Sequence, residues 1–399
     1  MGSVIELRNV PQDDADRMLD LAATVFHLRF GDRDALRAWV LGMERIGAYD
    51  ITGAEPDVLA GQLGVVPQRL SVPGGALDCA AVTFVGVLPT HRRRGILSSM
   101  IDRMHADAAA AGRPVAALWA SQGTIYGRYG FGVANRRIGF EVDTSRPLGL
   151  RTVPDDRPLR LLDRERAPEV LGPLYERELA RRPGGLARDE QWWLRRTVAP
   201  VDHAYPRFTE PHIVVHPDGY AVYRTHERTV RLYDMAAGTP QVEAALWRYL
   251  ASIDLTRTIV APERPVDDLL LHMAADPDQV TVTRDAAALW LRLIDVPAAL
   301  RARSWAAEDA FVLDVADERL PGNRGRWRLT TGAAPDCART DAAPDLVLDV
   351  AELGAVYLGG TPVRTLVRVG TVAERTPGAA ARLDAALAVP FAPYTGDNF

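Results

Sequence analysis

Ala80-Ala-Val-Thr-Phe-Val-Gly-Val-Leu-Pro-Thr-His-Arg-Arg-Arg-Gly-Ile-Leu-Ser-Ser99 changes character twice along its length. Val82 to Val87 is β-branched and apolar and predicts a buried strand. Leu88-Pro89-Thr90 interrupts it, and Arg92-Arg93-Arg94-Gly95 opens a new segment. There Ile96, Leu97, Met100, Ile101 and Met104 recur at the helical period. A strand, a basic glycine turn and a helix start make an anion cradle. The first helical turn carries free N–H groups and the positive end of the macrodipole. Gly95 lets the backbone approach a diphosphate with no Cβ in the way. The same residues also read as a solvated basic turn before an ordinary core helix, so the chain beyond them has to decide. Gly86 is expected to mark a bulge or splay in the strand.

After the helix, Arg113-Pro114 leads into Val115-Ala-Ala-Leu-Trp-Ala-Ser121, a second short apolar strand. Gln122-Gly-Thr-Ile-Tyr126-Gly-Arg-Tyr-Gly130-Phe131 follows. The order strand, Arg-x-x-Gly, helix, strand, Tyr-x-x-x-Gly-Phe resembles that of the GNAT acetyltransferases. Their acyl-CoA pyrophosphate loop usually reads Gln/Arg-x-x-Gly-x-Gly/Ala, and this chain departs from it at Leu97. The run from Val85 to Leu97, in a chain ending on Phe399, is similar to the Eis (enhanced intracellular survival) acetyltransferases. Those enzymes acetylate aminoglycosides and other amines, at several positions. The similarity spans the chain, with its specific motifs in the first third.

The resemblance implies an α/β (α+β) protein: tandem GNAT-like lobes followed by a sterol-carrier-protein-like C-terminal domain. It implies acetyl-CoA as co-substrate and no metal. The pantetheine arm would pair with main-chain groups of Val85, Gly86 and Val87. The diphosphate would lie on Arg92, Arg93, Arg94, Gly95, Ile96, Leu97 and Ser98, and Ser121 and Gln122 would border the site beyond the second strand. Tyr126 is the candidate general acid for the departing thiolate, since a phenol near pKa ~10 is matched to a thiol near ~8.5. No His or Glu of the first domain is an obvious base. The resemblance offers the C-terminal carboxylate, here on Phe399, folded back into the site. With an ordinary pKa of about 3.5, it needs burial or a relaying water to act as a base. Read alone, the tail Tyr394-Thr-Gly-Asp-Asn-Phe399 is a frayed terminus.

A polyamine such as an aminoglycoside would want carboxylates and aromatic walls. Candidates are Phe26, Trp39, Phe84, Trp192, Trp193 and Asp397. His91 reads as a turn residue. Protein lysines or another small amine remain open as acceptors. From a different class, so does a non-catalytic CoA- or lipid-binding scaffold.

A chain of 399 residues exceeds one typical core, so two or three domains are expected. The expected division is 1–150, 151–287 and 288–399. A net charge of −5 argues against a nucleic-acid partner bound by phosphate neutralisation. Cys79 and Cys337 give no disulfide framework or zinc pattern. No apolar run approaches a ~20-residue membrane span, and no signal peptide opens the chain, which predicts a cytoplasmic protein without a membrane partner. A homo-oligomer, and specifically a hexamer, is implied by the resemblance alone. All 47 basic residues are arginine, leaving no lysine side chain for self-acetylation.

Further strands are expected over residues 4–8, 58–66 and 69–72, and helices from Asp13/Asp14 to His27 and from Asp34. Residues 151–157 read as a linker. The second lobe is expected from strands at 219–224, 230–235 and 258–261 around a helix over 241–252. Its turn, Ala237-Gly-Thr-Pro240, lacks the Arg-x-x-Gly cradle, so it is not expected to bind CoA. Leu289 is expected to start the third unit, with strands at 311–315, 325–329, 346–350 and 366–369. A short helix at 353–358 is stopped by Gly359-Gly360.

Overall fold

The computed structural model describes residues 4–53 and 57–399. Three sheets organise them. The first runs β1 (Ile5–Asn9), β2 (Glu44–Asp50), β3 (Val58–Val72), β4 (Gly75–Val87), β5 (Val115–Trp119), then β14 (Leu289–Leu293) and β6 (Gly132–Val133). On one face α3 (Ile96–Ala110) buries Ile96, Met100, Ile101 and Met104 against Leu63, Val65 and Val82. On the other, α1 (Ala15–Phe26) sets Met18 and Leu21 against Tyr49 and Leu59, and α2 (Arg33–Leu41) adds Val40. Asp14 does not cap α1 with its side chain. Its carboxylate instead accepts from the Tyr49 hydroxyl at 2.9 Å and from Arg17 at 3.0 Å. Asp32, not Asp34, starts α2, accepting the Ala35 N–H at 2.9 Å. Residues 58–66 and 69–72 form one strand, because Pro67 sits opposite Ala80 without breaking the ladder.

The second sheet runs β13 (Val280–Ala287), β7 (Arg136–Asp143), β12 (Thr258–Pro265), β11 (Thr229–Ala237), β10 (Gly219–His226), β9 (His212–His216) and β8 (Arg160–Leu161). One face packs on α7 (Pro240–Ala251) through Leu246 and Trp247, the other on α5 (Ala167–Arg181) through Leu171 and Leu174. The two sheets exchange strands. β7 leaves the first lobe to lie between β13 and β12, and β14 returns to lie between β5 and β6. Divisions at 150 and 288 therefore cut across the sheets, and Leu289 opens a strand of the first lobe, not the third unit. Periodicity reports which face a strand buries but not which sheet it joins. Asn135 sits at the crossing. Its Oδ1 accepts the Leu289 N–H at 2.9 Å, and its carbonyl accepts the Ala288 N–H at 3.1 Å.

The third sheet runs β17 (Asp336–Arg339), β16 (Gly325–Thr330), β15 (Ala310–Ala316), β18 (Leu346–Asp349) and β19 (Val372–Glu374). Residues 366–369 are not a strand: they end the helix Val363–Val369, which starts after Pro362 and is closed by left-handed Gly370. Val363, Leu366 and Val367 have the three-and-four spacing of a helix face, which a four-residue window hides. The helix Val350–Tyr357 docks backbone to backbone on the first sheet. A Cβ on Gly132 would stand 1.9 Å from the Ala351 carbonyl oxygen, and one on Gly354 would stand 2.3 Å from that of Leu291. One hydrophobic core thus runs from Val115 and Leu291 into Leu313 and Leu353. Among the described residues, no helix is long and apolar enough to cross a membrane.

Candidate active site

β4 and β5 are parallel and pair only from Cys79–Val115 to Val82–Leu118. Beyond Val82 they diverge, for a local reason. The ladder with β3 slips between Gln62 and Gly64, and Phe84 takes a left-handed φ of +54°. The bulge expected at Gly86 therefore lies at Phe84–Val85, while Gly86 pairs in register with Gln62. A bulky residue in that conformation costs about 1–3 kcal/mol and persists where the surroundings over-determine it. The side of β4 facing away from β3 is left open at Val85 and Val87.

Beyond it, the turn Pro89–His91 is pinned by His91, whose Nε2 lies 3.1 Å from Asp50 and whose Nδ1 lies 2.8 Å from the Thr90 hydroxyl. His91 is a turn residue. Arg93 and Gly95 both have left-handed φ, +63° and +79°, and left-handed Gly95 followed by helical Ile96 turns successive N–H groups to one side as an anion nest. A Cβ on Gly95 would meet no atom within 4 Å, so space is kept open in front of the helix. Arg92, Arg93 and Arg94 are exposed around it. Arg92 reaches the Val87 carbonyl at 3.5 Å and Arg94 that of Thr90 at 3.1 Å. The Ile96 side chain is core, against Gly61, so only its backbone faces the turn. Leu97 is half-buried against the same core, and the Ser98 hydroxyl lies 3.1 Å from that of Tyr129.

Past β5, Ser121 and Gln122 are exposed at the start of α4 (Gly123–Tyr126). Tyr126 ends that turn, buried edge-on to Phe131. Burial, with a smaller contribution from Tyr129, pushes its phenol up to about 12, so it keeps its proton. It opens onto a cavity of about 260 Å³ at the divergence of β4 and β5. Phe26, Phe84, Val85, Ser121 and Phe399 line the same space, as do Leu28, Phe30 and Trp119, which the sequence reading did not single out.

Phe399 arrives there on a stitched strap. Arg182 donates to the Ala392 carbonyl at 2.7 Å, and the Tyr394 hydroxyl to that of Glu263 at 2.7 Å. The Thr395 hydroxyl donates to Gly184 O and accepts from Asn135 Nδ2 at 2.8 Å. Trp119 Nε1 donates to the Asp397 carbonyl at 2.9 Å, and Arg196 donates to that of Asn398. The frayed terminus read from the tail alone is thereby replaced by a strap held on both lobes.

The expected aromatic and acidic wall is only partly assembled. Phe26 and Phe84 line the cavity, and Trp39 stands edge-on to Phe84 at 5.4 Å. Asp397 is not free to meet a cation. Its carboxylate accepts from Arg188 Nε at 3.0 and 3.1 Å, Trp192 Nε1 at 3.1 Å and the Tyr175 hydroxyl at 3.1 Å. Trp193 is core, edge-on to Tyr175 and Tyr220. Trp192, from α6 (Glu190–Trp192), and Trp39 hold the guanidinium of Arg196 at 4.9 and 4.7 Å. Arg188, Arg196 and Asn135 carry no motif that would have marked them. Among the described residues, no cluster of three or more metal-ligating side chains forms.

The comparisons agree with this architecture. Residues 6–134 and 184–293 each match an acetyltransferase (GNAT) domain family, and residues 296–396 match the sterol carrier protein domain. An N-acetyltransferase of Streptomyces griseus, described as uncharacterized, is 41% identical over 83% of this chain and 85% of its own. N-acetyltransferase Eis of Mycobacterium tuberculosis is 34% identical over 96% of this chain and 97% of its own. The crystal structure of Eis1 from Mycobacterium abscessus superposes with a TM-score of 0.86 at 33% identity, over 99% of this chain and 100% of that one. A GNAT fold implies an acyl-CoA co-substrate. With the open strand edge and the buried phenol on one cavity and the glycine turn following the same strand, these relatives identify the chain as a member of the Eis family of GNAT N-acetyltransferases.

Proposed function

We propose that the protein transfers the acetyl group of acetyl-CoA to a primary amine by direct attack in the cavity shared by Tyr126 and Phe399. The observation that carries this is that a protonated phenol and the terminal residue border one space at the open edge of β4. The diphosphate is read onto the turn Arg92–Gly95 and the first residues of α3, and the pantetheine arm onto Val85 and Val87. Tyr126 and Phe399 flank the reacting atoms. The amine nitrogen bonds to the thioester carbon as the carbon–sulfur bond breaks. The terminal carboxylate takes the proton released by nitrogen, and the Tyr126 hydroxyl gives one to the departing sulfur.

Aminoglycosides are the acceptors the family resemblance implies, with transfer at more than one position. A second reading, another small amine, is favoured by Arg196. The chain's own guanidinium occupies the space between Trp39 and Trp192, and the cavity wall is mostly apolar and aromatic, with Thr83, Ser121 and Tyr126 its polar side chains. A single amine on an apolar body suits that wall better than a polycation does. Work in the cytoplasm as a homo-oligomer, hexameric by resemblance, belongs to the same proposal.

The test is mass spectrometry of tobramycin, kanamycin, neomycin and phenethylamine after incubation with untagged protein and acetyl-CoA. One or more added acetyl groups on the drugs are expected on the first reading. Acetylation of phenethylamine alone establishes the second. No acetylated amine and no acetyl-CoA binding overturns both.

A further inference from the structure

In the first lobe, parallel β4 and β5 diverge after Val82, and the opening leads to the cavity with Tyr126. The second lobe repeats that arrangement. Its parallel pair, β11 and β12, is in register only from Thr229–Thr258 to Arg231–Val260 and then separates. The helix that follows, α7, offers no anion cradle. Pro240 at its first turn has no N–H, and the Thr239 hydroxyl takes that of Val242 at 3.3 Å. The opening is nonetheless bordered by the chain itself. A cavity of about 280 Å³ between Asp234 on β11 and Arg264 on β12 is lined on one side by Phe391, Tyr394 and Gly396 of the C-terminal strap.

Arg188 and Asp234 line the same cavity. The Arg188 side chain, 3% exposed, donates through Nη1 to Asp234 at 2.5 Å and through Nε to Asp397 at 3.0 Å. Asp234 also accepts the Tyr220 hydroxyl at 2.7 Å, which fixes it on the sheet. A buried and a half-buried carboxylate sharing one buried guanidinium are held only while the geometry is complete, since a lost partner leaves an uncompensated charge away from water. Asp397 stands two residues before the terminal carboxylate.

We propose that the second lobe is the receptor for the chain's own C-terminal segment: the opening between β11 and β12 takes residues 391–397, and Arg188, anchored by Asp234, closes on Asp397 to set where the Phe399 carboxylate stands. Arg188, Asp234 and Asp397 are positioning residues. The proposal rests on the reading of Phe399 as the base.

Four full-length variants test it, Asp397→Ala, Asp397→Asn, Asp234→Asn and Arg188→Met, beside a chain ending at Asn398. Each is assayed for kcat, for KM of acetyl-CoA and for release of Phe399 by carboxypeptidase A, with an amine acetylated by the parent protein. Asp397→Ala is expected to lower kcat by roughly 10–100-fold, the loss a small misplacement of a reacting group causes. The KM for acetyl-CoA should stay within about twofold, because the CoA turn is untouched. Phe399 should be released at least about tenfold faster, as a strap freed from its anchor becomes locally open. Asp234 is hydrogen-bonded to the strap's anchor Arg188, so Asp234→Asn should shift the same readouts in the same direction, and the near-isosteric Asp397→Asn should lie between parent and Asp397→Ala. Should Arg188→Met fail to fold, the Asp234 and Asp397 variants carry the test. Parent-like kcat and Phe399 release in Asp397→Ala and Asp234→Asn, with an inactive chain ending at Asn398, overturn the clamp and leave the base reading standing. Parent-like kcat in the chain ending at Asn398 overturns the base reading, and the clamp with it.

Discussion

Tyr126 shows how burial sets a residue's chemistry. A phenolate is disfavoured in an apolar wall, so the proton stays on oxygen throughout the range in which an amine acceptor loses its own. Tyr126→Phe keeps the ring against Phe131 and removes only the hydroxyl that carries that proton. It should lower kcat by roughly one to four decades with acetyl-CoA affinity retained, as removal of a general acid does. Unchanged turnover would exclude the phenol as the acid. Tyr126 was legible as a candidate, and as a residue of this cavity, because it stands in a spaced motif. Asp397 was legible as a carboxylate near the active end but not as a spent one, because its partners Arg188, Tyr175 and Trp192 lie about two hundred residues away along the chain. Phe84 was legible as an aromatic neighbour of the site. That it, and not Gly86, takes the left-handed backbone could not be read, since a glycine is the default residue for that conformation and a phenylalanine is not.

At the level of elements, alternation and helical spacing were enough for β4, α3, β5 and the second-lobe pair, whose apolar faces are each buried against one layer. They were not enough for β14, a short apolar run that any sheet could accept. It pairs between β5 and β6, where two glycines let the helix Val350–Tyr357 rest on the first sheet. Gly354→Ala forces a Cβ to 2.3 Å from a backbone oxygen that neither element can move away. We expect it to destabilise by about 1–3 kcal/mol, seen as a lower urea midpoint with an unchanged slope. Gly75→Ala, where a Cβ meets nothing within 4 Å, serves as the near-neutral control. Equal midpoints for the two variants would mean that the helix and sheet slide apart at little cost.

Across the whole molecule, the junction of the first lobe and the third domain holds a titratable group that the reaction does not use. His105 is fully buried beside Phe131, and neither ring nitrogen has a protein partner. Burial, then the charge of Arg292, drives its pKa down to about 3 from an ordinary value near 6.5. Between those two pH values the unfolded chain takes up a proton that the folded one refuses. The stability associated with the neutral ring is therefore complete above about pH 6.5 and is lost as pH falls towards 3, by up to about 1.4 kcal/mol per pH unit. His105→Leu should flatten the fall of the urea midpoint between pH 7 and 5 relative to the parent. Parallel curves would show that the ring is solvated or paired.

The exchange of β7 and β14 also orders events in time. As the chain emerges during synthesis, the first sheet can form from β1 to β5, but the slot between β5 and β6 stays empty until residue 293 has been made. The second sheet, meanwhile, has to be built around a strand supplied by residues 136–143. Neither lobe can mature as an isolated unit, and a fragment ending near residue 150 would expose a bare strand edge of the kind that draws other chains into aggregates.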